Sequence, residues 1–242
     1  MSRFLVHPED LRGETFALTG SEARHAALAL RKKIGDIIAL FDGKNLSFEG
    51  RIDSLTPERI EGTILSQQTA PPSSRAHLTL CQALIKGPRW DWLVEKACEI
   101  GVAGLVPLLT ARTVVKPSSD AALDRWRRIA LAASKQCGRG DVMEIMEPKP
   151  FPEVIQSLPQ DGLALIPWEK ENKKTIHEAC QGQLNRPVHI LIGPEGGWEP
   201  GEVDSATRHG AIPVQLGPTL LRSETAGVVA ATLVLREFGT YS

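Results

Sequence analysis

Apolar and polar residues alternate along the first part of the chain and gather into continuous apolar runs along the rest. Residues 46–55 and 59–65 alternate, which predicts strands with one face buried. Residues 34–41 predict another strand, ended by the turn pair Asp42-Gly43. Ala23, Ala26, Ala27 and Leu30 line one face of a helix expected over 22–30. Short strands separated by turn residues predict a compact β-barrel for the first 70 residues.

The pattern changes beyond Thr69-Ala70-Pro71-Pro72-Ser73-Ser74-Arg75, where Pro and Ser concentrate and no apolar period passes through. Residues 78–84 predict a strand and 105–109 a buried strand, and the continuous apolar runs at 163–166 and 188–192 suit strands buried on both faces of a parallel sheet. Helices expected at 90–100, 120–136, 202–209 and 224–238 alternate with them, and a further strand is expected at 212–216. That alternation predicts an α/β fold. The division is 1–70 for the barrel, 71–76 for a linker and 77–242 for the α/β domain.

A hydrophobic content of 42% is enough to fill both cores. No apolar run approaches the ~20 residues that span a bilayer, and the first residues carry no secretory-type stretch, so the expectation is a cytoplasmic protein without a membrane partner. Cys81, Cys98, Cys137 and Cys180 form no C-x-x-C pair, and no H-E-x-x-H cluster occurs, so no metal is expected. The thiols are expected to stay free, as small buried apolar residues. The net charge of −1 is neutral about partners. Its distribution is not: residues 86–139 hold ten Lys and Arg against five Asp and Glu, an excess that suits either phosphates or a solvated helix face. The run Arg31-Lys32-Lys33 is open to the same two readings.

Two strand ends carry unusual chemistry, and ligands of open parallel sheets bind beyond such ends. Gly193-Pro194-Glu195-Gly196-Gly197 follows the run at 188–192 and offers bare backbone to a ligand. It has neither the Lys-Ser/Thr pair of a nucleotide P-loop nor a G-x-G-x-x-G fingerprint. The second loop runs from Leu216-Gly217-Pro218 to Arg222-Ser223-Glu224-Thr225-Ala226. There Arg222 and Glu224 sit at the turn, and Ser223 is expected to cap the last helix. Gly227 lies inside that helix, where it costs about 1 kcal/mol against Ala. No G-x-S-x-G accompanies a plausible triad, so an acyl hydrolase is not expected.

Taken together, 192–197 and 216–226 resemble the SPOUT superfamily of methyltransferases, and within it the ribosomal RNA small subunit methyltransferase E family. Glu22-Ala23-Arg24-His25, Phe41-Asp42-Gly43, Lys86-Gly87, residues 95–102, Gln136-Cys137-Gly138-Arg139 and Trp168-Glu169 are similar to that family too. One departure is Met143 after Val142, where the family usually has a Val-Pro pair. The resemblance implies a PUA-like RNA-binding barrel before a SPOUT domain with a deep trefoil knot. It also implies a homodimer, bound S-adenosylmethionine, and methylation of uridine N3 in 16S rRNA or the small ribosomal subunit. Rival readings are a SPOUT enzyme for another RNA, such as tRNA ribose, and a non-catalytic ribosome-assembly protein.

Carried onto this chain, the cofactor cradle comprises Ile192, Gly193, Pro194, Gly197, Leu216, Gly217, Leu220, Leu221, Thr225 and Ala226. Arg3, Arg31, Lys86 and Arg139 are the RNA-contact candidates, and His25 is read as structural. Arg222 and Glu224 are the catalytic candidates. Arg222 could stabilise charge on the uracil oxygens or hold the base. Glu224 or Glu195 could take the N3 proton, or orient Arg222 or a cofactor hydroxyl.

Overall fold

The computed structural model describes residues 3–70, 74–115, 119–183 and 186–241. By its internal contacts the chain forms two units, Met1–Ser73 with Ser134–Val142, and Ser74–Ala133 with Met143–Ser242.

In the first unit β1 (Arg3–Leu5), β2 (Leu11–Arg12) and β3 (Thr15–Thr19) precede α1 (Gly20–Arg24), which runs into a π-helical turn at His25–Ala29. β4 (Ile37–Phe41), β5 (Leu46–Leu55) and β6 (Arg59–Thr69) follow. The strand order is β1-β4-β5-β6-β3-β2, with β1 parallel to β4 and the other pairs antiparallel. The alternation along β5 sorts its residues by face: Phe48, Gly50 and Ile52 are buried, Glu49, Arg51 and Asp53 exposed. The buried face joins a core of Phe4, Phe16, Leu18, Ile38, Leu40 and Ile60. β4 starts later than the expected residue 34 because Gly35, at φ +90, and the bond from Asp36 N–H to the Lys33 carbonyl make a turn there. β1 and β2 are too short to display a period and β3 buries three successive residues, so the sequence pattern did not mark them.

The second unit is built on a parallel sheet. Its elements are β7 (Leu78–Ala83), α2 (Pro88–Glu99), β8 (Gly104–Leu109), α3 (Asp120–Cys137), β9 (Glu144–Ile145), β10 (Lys149–Pro150) and α4 (Phe151–Gln156). Then come β11 (Leu163–Pro167), α5 (Ile176–Cys180), β12 (Val188–Ile192), α6 (Pro200–Arg208), β13 (Ala211–Val214) and α7 (Ser223–Glu237). The order is β10-β8-β7-β12-β11-β13, with β9 also on β8 and every pair parallel. Leu80, Ile190 and Leu165 face one core with Trp90, Trp126 and Val234. Their strand neighbours Cys81, Leu191 and Ile166 face a second core with Phe151, Trp198 and Val203. Burial on both faces is why these strands read as unbroken apolar runs. α4 and α5 are too short for a helical period to stand out, and α6 starts at Pro200 because Glu199 and Glu202 form a capping box around it.

Three cysteines are buried as expected, and burial pushes the Cys81 thiol up to about 12. Cys137 is exposed instead. Among the described residues no helix is long and apolar enough to cross a membrane.

The segment Ser134–Val142, read from sequence as part of the α/β domain, groups with the first unit through specific bonds. Arg3 Nη1 donates to the Arg139 carbonyl at 2.8 Å, Asn45 N–H to the Gly140 carbonyl at 3.0 Å, and Lys135 pairs with Glu22. Arg139 is buried and forks onto Asp141, with contacts of 3.0 and 2.7 Å.

Two glycines in the first unit make room for Phe16. A Cβ on Gly50 would lie 2.5 Å from its ring, and one on Gly62 would overlap the Arg51 carbonyl as well as the ring. Gly62→Ala is therefore expected to destabilise the protein by roughly 1–3 kcal/mol, the usual cost of overpacking. Urea unfolding checks this, with a lowered midpoint as the expected result.

Candidate active site

β7, β11, β12 and β13 run parallel, so the loops that follow them emerge at one end of the sheet. The loop after β12 is shaped from behind by Trp198. Its indole donates to the Pro167 carbonyl at 3.1 Å, and a Cβ on Gly193 would meet the ring at 3.2 Å. Gly197 adopts φ +68, which a residue without Cβ takes at no steric cost, and its N–H closes a turn onto the Pro194 carbonyl. Arg112, in the loop after β8, donates to the Gly196 carbonyl at 2.8 Å and lies 3.6 Å from Glu199. Ile192 and Pro194 are buried, Gly193 and Gly197 half-buried.

The loop after β13 starts on a bond from Gln215 N–H to the Lys174 carbonyl, beside the loop that follows β11. Leu216 and Leu221 are half-buried, Gly217 is exposed at φ +139, and Leu220 is 85% exposed. Arg222 is the N-cap residue of α7. Its guanidinium is exposed and makes no hydrogen bond or ion pair among the described residues. Thr225 and Ala226 are half-buried on the first turn.

Ser223 does not cap α7 as expected. It is the first helical residue, and its hydroxyl donates to the Gly193 carbonyl at 2.6 Å, tying the two loops together. Glu224 is buried next to it, and its Oε2 has no hydrogen-bond partner among the described residues. The nearest cation is Arg89, whose Nη1 lies 3.8 Å from Glu224 Oε1 while its Nη2 bonds Glu195 Oε1 at 2.8 Å. Arg89 thus reaches a carboxylate from each loop.

Sequence reading passed over Arg89 and Arg112. Arg89 did leave a signal: it sits in the first turn of α2, behind Gly87 and Pro88, where the helix dipole disfavours a cation. A positive charge in that position implies a local carboxylate. Arg112 left none, because its role depends on which loops the sheet order brings side by side.

The basic candidates divide. Lys86 is exposed after β7, and Arg31 is exposed in the first unit at φ +51. Arg3 is engaged internally, with Ser47 Oγ at 3.0 Å and the Phe41 ring centroid at 4.8 Å besides its bond to the Arg139 carbonyl. Arg139 is buried on Asp141. Among the described residues no group of three or more His, Cys, Asp or Glu could hold a metal ion.

A family profile described as an RNA methyltransferase domain matches residues 72–235, and one described as an RNA methyltransferase PUA domain matches 18–65. The ribosomal RNA small subunit methyltransferase E of Synechocystis is 32% identical over 94% of this chain and 75% of its own length. That of Bacillus subtilis is 26% identical over 91% and 89%. A crystal structure of the Neisseria gonorrhoeae ribosomal RNA small subunit methyltransferase E bound to S-adenosyl methionine superposes with a TM-score of 0.89. It is 30% identical, and the match covers 100% of both chains. With both profiles matched and relatives of this name aligned along most of its length, the chain belongs to the ribosomal RNA small subunit methyltransferase E family.

Proposed function

We propose that this chain methylates N3 of a uridine in 16S rRNA, using S-adenosylmethionine. The observation that carries the reading is the pairing of a half-buried cradle of bare backbone and small apolar groups with one exposed guanidinium and one buried carboxylate oxygen that lacks a partner among the described residues. The residues fit the cofactor. Gly193, Gly197 and Gly217 leave backbone uncovered, Leu216, Leu221 and Ala226 offer apolar surface, and Thr225 adds a hydroxyl. Ile192, Pro194 and Leu220 complete the cradle. When bound, the cofactor supplies a methyl carbon activated by a sulfonium.

The protein's part is to align the base and manage one proton. Uracil N3 is a poor nucleophile until its proton leaves, and Glu224 is the better acceptor of the two glutamates. Glu195 is exposed and already bonded to Arg89, whereas Glu224 Oε2 has no partner among the described residues. Negative charge then spreads onto the uracil carbonyl oxygens. Arg222, a guanidinium with no competing partner among the described residues, stabilises it there.

Exposed Arg31 and Lys86 are the side chains we assign to the rRNA backbone. Arg3 and Arg139 serve instead to hold the segment 134–142 on the first unit. The deep trefoil knot is supported by chain order: after β13 at the sheet edge, the chain passes the loop following β11 and returns to pack α7 on β7 and β12. A homodimer is supported by α7, a helix with little polar surface on which Val228, Val229 and Leu233 are partly buried. A cytoplasmic location is consistent with activity on ribosomal RNA.

Arg222→Ala is expected to lower kcat about 100-fold or more with S-adenosylmethionine affinity nearly unchanged, as removal of a charge-stabilising donor does; equal losses in both would instead make Arg222 a cofactor residue. Glu224→Gln keeps the shape and removes the acceptor, so methyl transfer should fall by at least about 100-fold, and full activity would end its role as base. Mass spectrometry of 16S rRNA nucleosides from a deletion strain should lose 3-methyluridine; its persistence would favour another RNA target. Sedimentation should give a mass of two chains, and a single-chain mass would reject the dimer.

A further inference from the structure

Gln82 is fully buried near the end of β7, in a strand otherwise made of apolar residues and one threonine. It is aligned with Ile192 of β12, the residue before Gly193. Its Nε2 donates to Ser223 Oγ at 2.8 Å, and Ser223 Oγ donates to the Gly193 carbonyl at 2.6 Å. The direction of this chain is forced. A carbonyl oxygen only accepts, so the serine hydroxyl gives its hydrogen to Gly193, and its lone pair must then receive an N–H from the amide. That orientation leaves Gln82 Oε1 buried without a partner among the described residues, an arrangement disfavoured unless the donor side is needed.

A second observation converges on the same side chain. Gly227, a glycine inside α7 that helix stability alone would not select, lies where a Cβ would overlap Gln82 Oε1. The bare helix surface at Gly227 is what allows the amide to lie between β7 and α7.

We infer that Gln82 is a positioning residue for methyl transfer: its amide holds the Ser223 hydroxyl on the Gly193 carbonyl and so sets Arg222 and Glu224 against the backbone cradle. It touches neither base nor cofactor in this role. The inference rests on the methyltransferase reading above, and it adds that the spacing of the two loops is set by one buried amide.

The test uses the full chain, with steady-state methylation of rRNA, calorimetry with S-adenosylmethionine, and urea unfolding. Gln82→Met and Ser223→Ala should each lower kcat by about 10- to 100-fold, the scale of a sub-ångström to ångström misplacement, and weaken cofactor binding, with the KM for RNA nearly unchanged. Ser223→Thr keeps the hydroxyl and should recover most of the kcat. The double variant Gln82→Met/Ser223→Ala should be no worse than the poorer single one, because both cut one chain. Gly227→Ala, which displaces Gln82 and leaves the hydroxyl in place, should reproduce Gln82→Met. Wild-type kcat in Gln82→Met, or Ser223→Thr as impaired as Ser223→Ala, would overturn the inference, as would reduced stability with kcat intact. If the wild-type chain methylates no uridine N3, the target reading fails; calorimetry of Gln82→Met against wild type then still decides this one, since unchanged affinity would reject it.

Discussion

The hydrogen bond from the Ser223 hydroxyl to the Gly193 carbonyl couples two stretches that lie thirty residues apart in sequence. One end belongs to the loop after β12 and the other to the first turn of α7. Arg222 precedes the serine and Glu224 follows it, so their backbone positions move with it. On the other side, the glycines of the β12 loop are held in place by Trp198 behind Gly193 and by Arg112 on the Gly196 carbonyl. The loop is rich in glycine, yet it is braced at several points.

Charge follows the same plan. Arg89 opposes the dipole of its own helix and stands between Glu195 and Glu224, one from each loop. The exposed bond to Glu195 contributes little stability by itself, because surface ion pairs are worth about 0–1 kcal/mol. Its effect is geometric, since it leaves Glu195 occupied and, among the described residues, Glu224 with one oxygen uncommitted. A buried carboxylate oxygen without a partner among the described residues carries a cost that a donor placed beside it removes.

Parallel strands such as β11 and β12 were legible from sequence because burial on both faces writes itself as an apolar run, and β5 was legible because burial on one face writes itself as alternation; β9 and β10, two residues each, were not. β1 and β2, of three and two residues, are too short for a period to be read, and β3 buries three successive residues, so it shows no alternation. The two loops stood out by composition, and Gly227 by its improbability in a helix. What sequence could not supply was partnership. Ser223 looks like a helix cap in one dimension and is a bridge between loops in three. Arg3 and Arg139 look like cations awaiting phosphate, yet both are engaged inside the first unit. The assignment of 134–142 to that unit was equally hidden, since its bonds run to residues more than a hundred positions earlier.

That last segment has a bearing on how such a protein can be taken apart or assembled. The chain passes from one unit to the other three times, so the first unit is not a continuous piece of sequence. A fragment cut near residue 70 would leave the Arg3 guanidinium and the Asn45 amide without the carbonyls of Arg139 and Gly140. Grafting the RNA-binding module onto another enzyme would need nine residues carried over from the middle of the host. Recombination that exchanges contiguous gene segments cannot do that in one step, and the two units are thereby bound to be inherited as a pair.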